Sequence, residues 1–161
     1  MAKKRVESKP KKKIVFVCTG NTCRSPMAEF LFRYILSKKR KLSLYDVSSA
    51  GLSADEGSPI TENAALALKK LGVSVRKKHF SKQLTEKAAQ EADLIVCMTA
   101  AHASALRQFG AKVKSVGELT GGPDVPDPYG GDLNVYIKTA EYLMYACEDV
   151  FAAAQALSDC E

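Results

Sequence analysis

The sequence has no run of about 18 apolar residues, the length a membrane-spanning helix needs, so no membrane span is expected. Its N-terminal stretch is basic but lacks an apolar core before a small-residue cleavage site, so it does not read as a secretory signal and the expected compartment is the cytoplasm. Histidine is scarce: only His79 and His102 occur. No C-x-x-C pair exists, and no second Cys/His pair joins Cys97 and His102, so neither a zinc site nor any other metal is expected. The five cysteines (Cys18, Cys23, Cys97, Cys147 and Cys160) are odd in number and sparse for a 161-residue chain, which argues against a disulfide framework. No internal repeat and no second domain are evident, and no cofactor is called for.

The balance is that of an ordinary globular domain, with 46% apolar and 26% charged residues. The net charge of +6 is local. Residues 1–13 hold seven of the 24 bases and one of the 18 acids, so the remaining 17 of each sign cancel. Residues 1–13 therefore read as a disordered basic tail, and residues 14–161 as one neutral domain. The tail is read as a solvated leader rather than a nucleic-acid contact.

Lys13 leads into "IVFVC", a run with no polar residue, as expected for a strand covered on both faces. From Ser25 to Lys39 the pattern is helical, with Met27, Leu31, Tyr34 and Ile35 on one face and Pro26 in the first turn. "LYDVSSAGL" reads as a second strand, "ITENAALALKKLG" as a helix stopped by Gly72, and Leu84 to Glu91 as a shorter helix. "ADLIVCMT" is a strand, "AHASALRQFG" a helix and "KVKSVGEL" a weaker strand. Thr120 to Gly131 is a loop, and the last helix runs from about Leu133 to Leu157. This alternation predicts an α/β fold: one domain with a four-stranded parallel sheet and helices on both faces. Such sheets bind ligands at the carboxyl ends of their strands, where Cys18 falls.

Between the first strand and its helix stands "CTGNTCR", a C-x5-R loop. Backbone N–H groups from Thr19 to Arg24 can curl around one point at the positive end of a helix, forming an anion nest. Gly20 and Asn21 tolerate the left-handed backbone such a curl needs. The planar fork of Arg24 can grip two oxygens of a tetrahedral anion. These groups all favour a thiolate at Cys18, and Ser25 can hydrogen-bond that sulfur. The constellation suits attack by sulfur on a bound phosphate, a phosphocysteine intermediate and hydrolysis by water. Thr19, Gly20, Asn21, Thr22, Cys23 and Ser25 are the expected phosphate-binding residues. The acid for the leaving group is sought in "DVPDPYGG"; Asp127, between Pro126 and Pro128, is preferred to Asp124, and Tyr129 can wall the pocket. Cys23 admits two readings, a reversible disulfide with Cys18 or a loop-packing thiol. Cys97 and Cys147 read as buried small hydrophobes, Cys160 as part of a frayed end, and both histidines as surface residues.

"VCTGNTCRSPMAE" together with "DPYGG" resembles the low-molecular-weight protein tyrosine phosphatases, from about Ile14 to Leu157. The resemblance implies a four-stranded parallel sheet, a nucleophile at Cys18, phosphate binding by Arg24, a general acid at Asp127 and phosphorylated proteins as substrates. Two positions depart from the phosphotyrosine enzymes. They usually carry isoleucine or leucine where this chain has Thr22, and often a second tyrosine where it has Gly130. Both departures resemble the bacterial protein-arginine phosphatase branch, so phosphoarginine is the expected substrate and phosphotyrosine the alternative. The related arsenate reductases need further cysteines after the middle strand, where only Cys97 stands. A binding module without turnover would not need nucleophile, arginine and acid together.

Overall fold

A computed structural model describes residues 9–75 and 78–159. The first strand, β1 (Lys12–Cys18), is followed by α1 (Arg24–Lys38), β2 (Tyr45–Gly51), α2 (Glu62–Lys70) and α3 (Glu86–Glu91). Then come β3 (Leu94–Cys97), α4 (Ala100–Ala105), β4 (Val113–Ser115), α5 (Val116–Thr120) and α6 (Leu133–Asp159). All four strands are parallel, in the order β2-β1-β3-β4, as the alternation of elements predicts.

The apolar run of β1 is buried on both faces because two separate cores cover the sheet. Ile14 and Phe16 face a large core built with α1, α2 and α6, including Phe32, Leu68 and Leu143. Val15 and Val17 face a smaller one with Ile95, Ala103, Leu106 and Val113. The long α6 buries Tyr136, Ala140, Leu143, Cys147, Val150 and Ala154 along one stripe, the spacing read from the sequence. Among the described residues, no helix is long and apolar enough to cross a membrane.

Two boundaries differ from the expectations. The tail expected over 1–13 gives up its last two residues to the sheet: Lys12 pairs with Tyr45, Lys13 pairs with Asp46, and the Lys13 N–H donates to Asp93 Oδ2 at 2.7 Å. Charged residues are admitted there because the start of the strand is near solvent, so charge alone misplaces the boundary. Residues 1–8 and the end at Cys160 lie outside the described residues. "KVKSVGEL" is a strand only as far as Ser115, whose Oγ accepts the Glu118 N–H at 3.0 Å and caps α5. The Ser115-to-Glu118 spacing is that of a helix start, a local signal that outweighs the weak strand pattern.

Candidate active site

β1 delivers Cys18 to the carboxyl edge of the sheet, and the ladder with β2 runs one step past it: Leu52 N–H donates to Cys18 O and Ser53 N–H to Thr19 O, each at 3.0 Å. The chain then leaves the sheet and curls back. The turn is made at Asn21, in the left-handed region at φ +57°. Gly20 does not take a left-handed conformation, contrary to expectation. A Cβ there would meet nothing closer than Thr22 Oγ1 at 3.8 Å. Asn21 alone bears the strain because its side chain compensates for it. Fully buried, it donates through Nδ2 to Ser25 Oγ and Ser49 Oγ, both at 2.9 Å, and accepts Lys82 N–H at 3.1 Å. Ser49 Oγ donates in turn to Glu29 Oε1 at 2.8 Å.

This network aims donors at Cys18. Asn21 N–H points at Sγ from 3.3 Å. Ser25 Oγ lies 2.9 Å from Sγ, and since Oγ accepts from Asn21 Nδ2, its own proton is left for the sulfur. Two donors on one sulfur suit an anionic nucleophile. By contrast, burial pushes the Cys97 thiol up to about 12 and also raises Cys147, so both stay inert thiols, as expected from their apolar settings.

Arg24 is nearly buried, with Nη1 donating to Val125 O at 3.2 Å and Nη2 3.7 Å from Asp127 Oδ2. The acid loop is thereby tied to the phosphate loop. Asp127 itself is 58% exposed, and its Oδ1 accepts the Tyr129 N–H at 3.1 Å. Asp124 is turned elsewhere: its Oδ1 accepts the Ala100 N–H at 2.9 Å. A cavity of about 210 Å³ is lined by Cys18, Arg24, Asp127 and Tyr129, together with loop residues Thr19 to Cys23. The expected site residues thus meet in one place; Ser25 stands behind the sulfur rather than in the cavity wall. Among the described residues, no cluster of three or more His, Cys, Asp or Glu side chains is arranged to hold a metal. Cys23 is free, with Sγ 3.5 Å from both Tyr136 OH and Thr61 Oγ1. Burial, followed by the bond to Cys23, pushes the Tyr136 hydroxyl up to about 12.

Both histidines touch the loop; His79 is half-buried, whereas the burial of His102 corrects its expected place on the surface. His79 Nε2 lies 2.8 Å from Asn21 O. His102 is 8% exposed, with Nε2 2.8 Å from Thr19 Oγ1. Burial, and then the nearby Arg24 charge, hold His102 below the ordinary imidazole value. His102 sits just past the carboxyl end of β3, the sheet edge where sites form, which was the available signal for it.

Gly51, on β2, sets the height of the loop, and nothing in its local sequence signals this. A Cβ there would lie 2.4 Å from Thr19 O and 3.2 Å from Asn21 N, both backbone atoms. Gly51→Ala is expected to push the loop off its nest, costing about 1–3 kcal/mol of stability. Thermal unfolding and binding of inorganic phosphate should both weaken; unchanged values for both would refute this packing account.

A family model described as "Low molecular weight phosphotyrosine protein phosphatase" matches residues 13–159. A Bacillus subtilis (strain 168) protein named "Protein-arginine-phosphatase" is 40% identical over 136 residues, covering 81% of this chain and 88% of that protein. A Gallus gallus "Low molecular weight phosphotyrosine protein phosphatase" is 30% identical over 147 residues, covering 85% and 92% of the two chains. Among solved structures, a cysteine-to-serine mutant of YwlE arginine phosphatase with a phosphorylated active-site serine superposes with a TM-score of 0.78 at 37% identity, covering 91% of this chain and 95% of that one.

Proposed function

Because the chain belongs to the low molecular weight phosphotyrosine protein phosphatase family, we propose that this cysteine-dependent protein phosphatase removes phosphoryl groups from arginine side chains of proteins. The phosphoryl group sits in the nest of loop N–H groups, its oxygens held by Arg24 and its phosphorus facing Cys18 Sγ. The thiolate attacks phosphorus in line with the scissile P–N bond. As that bond breaks, Asp127 gives its proton to the departing guanidine nitrogen, and a phosphocysteine remains. Asp127 Oδ2 lies 3.7 Å from Arg24 Nη2. A bound phosphoryl group takes over the guanidinium and frees the carboxyl for proton transfer. Asp127, now a carboxylate, then accepts a proton from water; the water oxygen bonds to phosphorus, the S–P bond breaks, and inorganic phosphate leaves. No metal enters these steps. The free thiols Cys18, Cys23, Cys97 and Cys147 suit a reducing compartment such as the cytoplasm.

The observation that carries the arginine reading is Thr22. It lines the cavity, and its hydroxyl makes no polar contact among the described residues closer than 3.8 Å, to Cys23 Sγ. That hydroxyl is therefore available to a guanidinium N–H, which an isoleucine or leucine would leave unpaired. The Tyr129 part of the cavity wall supports the same reading. Tyr129 is 76% exposed, and the next position is a turn in which Gly130 has φ +81° and Gly131 N–H donates to Pro128 O at 2.8 Å. A second aromatic is disfavoured by that backbone, so a phosphotyrosine ring finds one wall rather than two.

The test is kcat/KM on matched phosphoarginine and phosphotyrosine peptides. The expected result is preference for phosphoarginine, and its reduction by about tenfold or more in Thr22→Ile. Preference for phosphotyrosine in the parent enzyme would overturn the arginine reading and leave the thiolate mechanism in place.

A further inference from the structure

Thr19 is the first residue of the loop, next to the nucleophile, and it lines the cavity with Cys18, Arg24 and Asp127. Its hydroxyl is bound from behind by His102 Nε2 at 2.8 Å. The other ring nitrogen, Nδ1, is buried and has no hydrogen-bond partner among the described residues. A neutral imidazole carries one proton, and an orphaned buried N–H is rarer than an orphaned acceptor. The proton therefore belongs on Nε2, which donates to Thr19 Oγ1. The Thr19 O–H is then left to point away from the ring, toward the cavity.

We infer that His102 is a positioning residue of the phosphatase reaction: by donating to Thr19 Oγ1 it turns the Thr19 hydroxyl into a fixed donor toward the phosphoryl group. This donor adds to the backbone N–H groups and Arg24. It costs no reorientation when the anion arrives. Two hydrogen bonds at the start of its short helix hold His102 in place. Thr99 Oγ1 accepts the His102 N–H at 3.1 Å and caps α4, while Asp124 accepts Ala100 N–H at 2.9 Å. The charged groups facing the ring are Arg24 from α1, which disfavours an imidazolium, and Asp124 and Asp127 from the acid loop, which favour one. Burial sides with Arg24 and keeps the ring neutral.

The inference rests on the phosphatase reaction and not on the preference for phosphoarginine, so the probe is para-nitrophenyl phosphate, with inorganic phosphate as competitive inhibitor. The variants are Thr19→Val, His102→Ala, the pair together, and His102→Gln, whose amide N–H can replace the imidazole donor. Thr19→Val and His102→Ala are each expected to lower kcat/KM and weaken phosphate inhibition by about fivefold to tenfold, the worth of one ordinary hydrogen bond. The double variant should be no worse than Thr19→Val alone, because the ring acts only through that hydroxyl. His102→Gln should recover most of the loss, and it keeps the test open should the alanine variant unfold. Losses that multiply in the double variant, an unaffected Thr19→Val enzyme, or failure of glutamine to restore phosphate inhibition in a folded protein would each overturn the inference.

Discussion

Replacing Cys18 with serine is expected to lower kcat/KM by roughly 10⁴-fold or more while leaving phosphate binding within a few-fold of the parent. The two halves of this result have different sources. Turnover depends on the sulfur, which receives donors from Asn21 N–H at 3.3 Å and from the Ser25 hydroxyl at 2.9 Å. Those donors suit a thiolate; a serine hydroxyl remains protonated near neutral pH and is a weak nucleophile in the same place. Binding depends on the backbone curl and on Arg24. The curl is held by the Asn21 side chain through Ser49 and Lys82, and Arg24 by Val125 O. None of these contacts passes through Sγ. A serine enzyme that does become phosphorylated should also fail to release the group, because an alkoxide leaves phosphorus less readily than a thiolate. Mass spectrometry after incubation with a phosphopeptide should then find one phosphoryl group on residue 18. Turnover persisting in Cys18→Ser would refute the nucleophile assignment, and loss of phosphate binding would refute the independence of nest and sulfur.

The parts of the site that a reader can take from the sequence are those made by neighbours in the chain. Cys18, Arg24 and Ser25 stand within one turn of loop and helix, so their spacing alone states their geometry. Asp127 lies far along the chain, but two prolines and an aromatic mark its loop. What spacing cannot state is which distant segments close around the loop. Ser49 lies on β2 next to β1, His102 follows β3, and His79 precedes a bridge to the start of α2 at Pro59–Phe80. Each reaches the loop only because the strand order puts β1 between β2 and β3. Gly51 belongs to the same class, since its close approach to Thr19 O exists only once β2 is paired with β1. Composition also misassigns strain. Gly20 looks like the residue for a left-handed turn, yet Asn21 takes it because five polar contacts, counting its backbone, reward that conformation and a glycine would make only the backbone ones.

Asp127→Asn should separate leaving groups rather than slow every substrate alike. An amide cannot supply the proton that the departing atom requires, so the loss depends on how much that atom needs one. The nitrogen released from phosphoarginine is strongly basic and departs only with a proton; there the expected loss is about 10²–10⁴-fold in kcat/KM. The phenol released from para-nitrophenyl phosphate is acidic and departs as an anion, so the expected loss is far smaller. The fold should be indifferent, because the 3.7 Å pair with Arg24 involves a carboxylate that is 58% exposed, and such pairs contribute little to stability. Asp124→Asn is the matched control. That carboxylate is occupied with Ala100 N–H at 2.9 Å, and an asparagine oxygen can accept the same bond, so turnover of both substrates should be retained. Equal losses on the two substrates in Asp127→Asn would deny it the acid role. A leaving-group-dependent loss in Asp124→Asn instead would move that role to the other carboxylate. The preference for Asp127 therefore rests on its place in the cavity wall beside Cys18 and Arg24, a place Asp124 does not share.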